Sequence, residues 1–191
     1  FEMDKYESGI PISTSRGCAH LCIYCPVQTA IGKKMRIRSP KSVVDEIEYW
    51  HNRGLKIFGI TDDNFTFLSE RVHQICQEIK RRQLKSLTLA CGNGIRADRV
   101  NRALLSEMKE VGFKHVSFGV ESGNDHILER LKKGERLSDI ETAIKDACDI
   151  GFAVTLFFLL GSPGETKEDL QRSLDLALRY PVYDARFYNI I

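Results

Sequence analysis

"LLSEMKEVGFKHVSFGVESGN", residues 104–124, reads as an amphipathic helix, a glycine, an apolar strand and a polar strand end. Gly112 suits the left-handed residue just past a helix terminus. The same plan recurs in "VVDEIEYWHNRGLKIFGI", residues 43–60, and "AIKDACDIGFAVTLFFLL", residues 143–160, with Gly54 and Gly151 in the same role. The repeating unit is therefore strand, loop, helix. Helix starts are marked too: Pro40 after Ser39 fits a first turn, and "SDIE" from Ser138 and "TKED" from Thr166 fit capping boxes.

This reading places strands near Ile10–Ser13, Lys56–Thr61, Ser86–Cys91, His115–Val120, Ala153–Leu160 and Asp184–Ile191. Helices fall near Pro40–Arg53, Ser69–Arg82, Asp98–Val111, Asn124–Lys132, Ser138–Ile150 and Lys167–Arg179. Strands alternating with helices predict an α/β fold with a parallel sheet, and the continuous apolarity of "FAVTLFFLL" fits a strand covered on both faces. The strand ends then choose between an open doubly wound sheet and a barrel. After successive strands come the cysteine run, "TDDN", "GNGIR", "ESGN" and "GSPGE". A barrel gathers polar groups from nearly every strand end at one mouth, whereas a doubly wound sheet gathers them at a switch point. Eight units do not fit in 191 residues, so the expectation is a partial (β/α)6 TIM-like barrel, open on one side.

Bulk composition narrows the class without naming it. Hydrophobic residues make up 42% and charged residues 28%, with no run long enough to span a bilayer, so the expected location is the cytoplasm. A net charge of +2 does not by itself imply nucleic acid, and the short basic run "GKKMRIR", residues 32–38, reads first as a solvated loop. Both chain ends, Phe1 and "ARFYNII", look like cuts through a longer polypeptide, so 1–191 is expected to be an excised core domain with flanking segments on each side. Of the six cysteines, Cys76 and Cys148 fit apolar helix stripes, while Cys91 ends a strand-like run.

The remaining three lie in "SRGCAHLCIYCPV", residues 15–27, at C-x3-C-x2-C spacing. Thiolates suit zinc, copper(I) or iron–sulfur clusters. Structural zinc sites pair C-x2-C with a second distant pair, which this run lacks, and a bacterial ferredoxin run carries four cysteines. What remains is a 4Fe-4S cluster with three irons held by protein and one open to a ligand. With Tyr24 before the last cysteine, on a loop after the first strand of a partial barrel, the sequence resembles the radical S-adenosylmethionine (radical SAM) superfamily over essentially its whole length.

That resemblance implies S-adenosylmethionine chelated to the open iron and cleaved reductively to methionine and a 5′-deoxyadenosyl radical, which abstracts a substrate hydrogen. It makes Cys18, Cys22 and Cys25 the cluster ligands and sets Tyr24 near the adenine. Asp62 and Asp63 stand where many members carry Gly-Gly-Glu for the methionine amino group; residue type does not rank them against Asn64, and Asp-Asp-Asn is also ordinary turn composition. Asn93 and Arg96 follow the third strand, Arg96 with a fork suited to a carboxylate. Glu121 and Ser122 stand at the fourth mouth position as contacts to methionine or ribose, or Ser122 or Asn124 as a helix cap. Gly161 permits close backbone approach to the adenine, and Pro163-Gly164 suits a type II turn.

Within the superfamily, "TDDNFT", "RSPKSVVDEIE" and "FGVESGNDHILERLKKG" look most like the group that couples this core to a cobalamin-binding domain for methylation or ring chemistry. Methylthiotransferases that modify RNA or protein share "PGET" and the cysteine loop and are the nearest enzymatic alternative. The other is a non-catalytic module stapled by zinc or a cluster. The enzyme reading implies an electron donor such as flavodoxin or ferredoxin, an unidentified substrate, and oxygen sensitivity of the exposed iron.

Overall fold

A computed structural model describes residues 9–190. Its main sheet contains β1 (Ile10–Ile12), β4 (Ile57–Ile60), β5 (Thr88–Ile95), β6 (Phe113–Glu121), β7 (Ala153–Leu160) and β8 (Asp184–Asn189). These six strands lie in chain order, and every neighbouring pair is parallel. Chain order without a reversal keeps each crossover on the same side, so the sheet curls toward a barrel; a doubly wound sheet would reverse at a switch point. The sheet stays open, with β1 and β8 as its edges. A two-stranded antiparallel hairpin, β2 (Ser15–Arg16) with β3 (Arg36–Ile37), brackets the cysteine run and was not legible in the sequence pattern.

The crossover helices are α2 (Pro40–His51), α3 (Ser69–Arg81), α4 (Arg102–Glu110), α6 (Leu137–Ile150) and α7 (Lys167–Arg179), with short α1 (Val27–Ala30) and α5 (Asp125–Arg130) beside the mouth. One face of each of β4 to β7 packs under them: Phe58, Leu89, Phe118 and Phe158 are fully buried in one core with Val44, Ile75, Leu105 and Ile144. Each such side chain contributes about 1.5–3 kcal/mol by leaving water. The opposite face carries small residues, Gly59, Ala90 and Gly119, so the inside of the curl keeps room for a ligand; a Cβ at Gly59 would meet nothing within 4 Å. Cys76 and Cys91 are core thiols and Cys148 is half-buried. Among the described residues no helix is long and apolar enough to cross a membrane.

Local expectations divide instructively. Ser39 caps α2 through the Ser42 amide, Thr166 and Asp169 form the capping box of α7, and Gly54, Gly112 and Gly151 all have left-handed φ. Gly164 at φ +75° and the Glu165 amide bonded to the Ser162 carbonyl at 2.9 Å agree with the type II turn. The expected box at Ser138 does not form. Helix α6 begins one residue earlier, and the Leu137 amide donates to the Asp125 carboxylate at 2.7 Å instead. The third strand runs past Cys91 to Ile95 with a shift of register, absorbing "GNG"; a 3-10 turn at Ala97–Arg99 follows, and α4 starts at Arg102 because Asn101 caps the Leu104 amide. The last strand ends at Asn189, and Ile191 lies outside the described residues.

Candidate functional site

The carboxyl ends of the central strands and the cysteine loop enclose one cavity of about 250 Å³. Cys18, Cys22 and Cys25 line it together with Tyr24, Asp63, Asn64, Asn93, Arg96, Glu121 and Lys133. The loop is pinned to the strand ends at several points. Gly17, at φ +93°, donates its amide to Asp63 Oδ2 at 2.8 Å. The Ile23 amide donates to the Leu131 carbonyl at 3.1 Å, and the Tyr24 hydroxyl donates to Glu121 Oε1 at 2.9 Å. The Gln28 side chain donates to the His20 carbonyl, closing the loop on itself.

All three loop thiols are free and half-buried. Burial pushes the Cys25 thiol up, against a bond from the Val27 backbone, and the nearby Cys22, Cys18 and Asp63 push the same way. A metal entering this site must therefore displace a proton from Cys25. Among the described residues no three His, Cys, Asp or Glu side chains surround a position for a single ion. Three soft donors spread along one loop fit a cluster in which each iron takes one thiolate, and do not fit a mononuclear zinc staple.

Glu121 ends β6 with φ +67°, a backbone position that costs a non-glycine residue free energy and that here turns its carboxylate toward the cysteine loop. Lys133 Nζ donates to the same Oε1 at 2.9 Å and lies 3.2 Å from Glu135 Oε2; both residues are buried. Burial works against the charge on Lys133, but Glu121 and Glu135 outweigh it and raise its pKa, so it stays an ammonium. Burial and the Glu121 carboxylate push the Tyr24 phenol far up, so it stays a donor. Lys133 and Glu135 escaped the sequence reading because "LKKGER" looks like a solvated helix end; Gly134, at φ +67°, is the turn that folds both charges inward.

The residues singled out at strand ends separate into three kinds. Asp63 and Asn93 line the cavity, Asn93 donating to the Thr61 carbonyl at 3.0 Å. Arg96 lines it too, but its guanidinium is taken by Asp98 at 2.9 and 3.1 Å and by the Lys133 and Gly134 carbonyls, so its fork is spent inside the protein and is not free for a ligand carboxylate. Asp62 does not reach the cavity. It is 2% exposed and accepts bonds from the Thr14 amide, the Thr14 hydroxyl and the Ser15 hydroxyl at 2.6, 2.5 and 2.5 Å, an anchor for the chain leaving β1. Ser122 is fully buried behind the wall, and the Gly161 amide is bonded to Glu165 Oε2 at 2.7 Å outside it. Asn64 is the sharpest feature: at 3% exposure, neither its amide oxygen nor its nitrogen has a partner among the described residues. His20 also lines the cavity, edge-on to Phe67 at 5.6 Å, with Nε2 unpartnered among the described residues and its pKa lowered to about 4 by burial and then by Arg96. Phe157 and Tyr188, 6.0 Å apart, form an aromatic wall.

A model of the radical SAM superfamily matches residues 12–177. An uncharacterized methyltransferase of Pyrococcus horikoshii is 32% identical over 190 residues, covering 97% of this chain and 41% of that protein. The cytidylyl-2-hydroxyethylphosphonate methyltransferase of Streptomyces wedmorensis is 32% identical over 203 residues, covering 98% of this chain and 38% of that one. In three dimensions the chain resembles a radical S-adenosylmethionine methyltransferase, TsrM, from Kitasatospora setae, solved with cobalamin and a 4Fe-4S cluster, at a TM-score of 0.87 and 24% identity over 95% of this chain and 34% of that one. The chain thus spans about two fifths of the length of the two sequence relatives.

Proposed function

The chain belongs to the radical SAM superfamily, and from that premise we propose that it is the core of an enzyme that cleaves S-adenosylmethionine and transfers a methyl group to an unactivated carbon. The observation that carries this is one cavity holding three free thiols, a buried Glu121–Lys133 pair and the partnerless amide of Asn64. The relatives named as methyltransferases favour methyl transfer within the superfamily. Cobalamin would be held by another part of the polypeptide, a flavodoxin or ferredoxin would supply electrons, and the cytoplasm would be the location.

Cys18, Cys22 and Cys25 would hold the 4Fe-4S cluster, which when bound supplies one electron and an iron free to chelate an amine and a carboxylate. Tyr24 and Lys133 fix the Glu121 carboxylate at the wall, so an arriving ammonium meets a charge already oriented. Asn64 offers one acceptor and two donors to the polar end of a ligand. Phe157 and Tyr188 would add aromatic surface to the lining for the apolar part of a ligand.

The test is anaerobic reconstitution with iron and sulfide, then addition of S-adenosylmethionine and dithionite, with chromatography for 5′-deoxyadenosine. Product that vanishes in Cys22→Ala supports the cleavage, and S-adenosylhomocysteine formed on adding cobalamin marks methyl donation. A protein with full iron content that yields neither compound would sink the proposal.

A further inference from the structure

We infer that Glu135 is a positioning residue for the ammonium of S-adenosylmethionine, acting through Lys133 on Glu121; this rests on the site proposed above. Glu135 stands behind the cavity wall that Glu121 and Lys133 line, and its side chain is fully buried. Around it the fold gathers three carboxylates and two cations. Lys133 Nζ lies 2.9 Å from Glu121 Oε1 and 3.2 Å from Glu135 Oε2. Arg96 grips Asp98 at 2.9 and 3.1 Å and stands 3.7 Å from Glu135 Oε2. Glu121, Glu135 and Asp98 against Lys133 and Arg96 leave the group one positive charge short. A buried set of charges that does not balance costs free energy until a counter-charge arrives. A ligand ammonium in the cavity would supply it.

The two oxygens of Glu135 do different work. Oε1 accepts from the Ala97 amide at 2.7 Å and the Asp98 amide at 3.2 Å, which ties the turn after α5 to the end of β5. Oε2 accepts no hydrogen bond among the described residues and faces the two cations. Gly134, at φ +67°, folds Lys133 and Glu135 inward, and Arg96 fixes that turn by donating to the Lys133 carbonyl at 2.6 Å and the Gly134 carbonyl at 3.2 Å. At Glu121 the Tyr24 hydroxyl and Lys133 both donate to Oε1, and among the described residues nothing donates to Oε2. Gly119 leaves the space this pair needs, since a Cβ there would lie 2.6 Å from Glu121 Oε1 and 3.0 Å from Lys133 Nζ. A lysine paired with one buried carboxylate would cancel its charge. Shared between two, it leaves Glu121 a surplus of negative charge, which a water-poor wall screens weakly. A Glu135 that served only to hold the turn would need Oε1 alone.

Glu135→Gln separates the two roles, because it keeps an Oε1 for both amides and removes the charge. The full-length, cluster-loaded protein is titrated anaerobically by calorimetry with S-adenosylmethionine and with 5′-methylthioadenosine, which has the adenosine end but neither amino group nor carboxylate. Glu135→Gln should weaken S-adenosylmethionine about tenfold and leave methylthioadenosine and iron content unchanged. In a Glu121→Gln background the same change should add less than about twofold, as expected for a residue that acts through Glu121. Glu135→Asp keeps the charge but draws it back by one methylene; it should weaken S-adenosylmethionine less, again sparing methylthioadenosine, and it carries the test if Glu135→Gln does not fold. Unchanged affinity for S-adenosylmethionine, equal losses for both ligands, or additive losses in the double variant would each overturn the inference. A parent that binds S-adenosylmethionine no better than methylthioadenosine is a different failure, that of the site proposed above.

Discussion

Side chains two positions apart in "TDDN", Asp62 and Asn64, do opposite work, and residue type alone gave no way to tell them apart. Asp62 spends its carboxylate on Thr14 and Ser15, whereas Asn64 spends its amide on nothing among the described residues. Removing a buried acceptor strands its donors, so Asp62→Ala should cost about 3 kcal/mol in urea unfolding of the apo protein. Removing a partnerless buried amide strands nothing: Asn64→Ala should stay within about 1 kcal/mol of the parent yet weaken S-adenosylmethionine binding to the reconstituted protein about tenfold. Stability losses of equal size would show that Asn64 is structural. Lys133 poses the same problem from the other side, since two lysines before a glycine read as solvent-facing until the fold buries one between Glu121 and Glu135. Lys133→Met leaves the buried Glu121 carboxylate without its cation, while Glu135 keeps Arg96 and the Ala97 and Asp98 amides, and should cost about 3–5 kcal/mol, with Lys133→Arg recovering part of it. A Met variant as stable as the parent would remove the pair from the account of the site.

Elements were more legible than residues because their signals are local. Helix-ending glycines and the Thr166 box act over a few positions, and all of them lie where the pattern placed them. The third strand and the start of α6 were misplaced because what fixes them is distant: pairing with β6 extends β5 through glycines, and Asp125 supplies the bond that starts α6. Helix α7 shows how a local signal becomes a tertiary one. Its cap residue Asp169 also accepts from the Asn124 side chain at 2.5 Å, and the Gly123 amide donates to Ser173 at 2.9 Å, so the start of α7 is locked to the end of β6 beside Glu121. A Cβ at Gly123 would lie 2.6 Å from the Arg172 carbonyl oxygen, and Gly123→Ala should destabilise the protein by about 1–3 kcal/mol, read by urea unfolding. The Asp169 carboxyl is held below its usual range by the Thr166 backbone, then by Asn124 and the Thr166 hydroxyl. Its contribution is therefore present above the ordinary value of 3.8 and lost as pH falls through the lower folded value. Asp169→Asn should flatten that part of the stability profile below about pH 4, and an unchanged profile would assign the acid loss elsewhere.

At the scale of the molecule, the fold and the cysteine loop are energetically separate. The hydrophobic core runs from Ile10 and Ile12 directly to Val43, and no residue between 13 and 42 belongs to it. This is why a sequence could announce both the barrel and its site so plainly: apolar periodicity wrote the first and spacing of thiols the second, with polar bonds joining the two. It also separates an enzyme from a staple. Where metal binding supplies the folding free energy, removing the ligands unfolds the chain. Here the Asp63, Glu121 and Leu131 contacts tie the loop to the rest of the fold without using the thiols. The triple variant Cys18→Ala, Cys22→Ala, Cys25→Ala, prepared without iron, should unfold cooperatively within about 0.5 kcal/mol of the equally iron-free parent, as expected for partly exposed positions off the core. A variant that is molten while the parent folds would mean that the thiols themselves hold the structure, and a converging mouth of strand ends would then have to be explained without chemistry to serve.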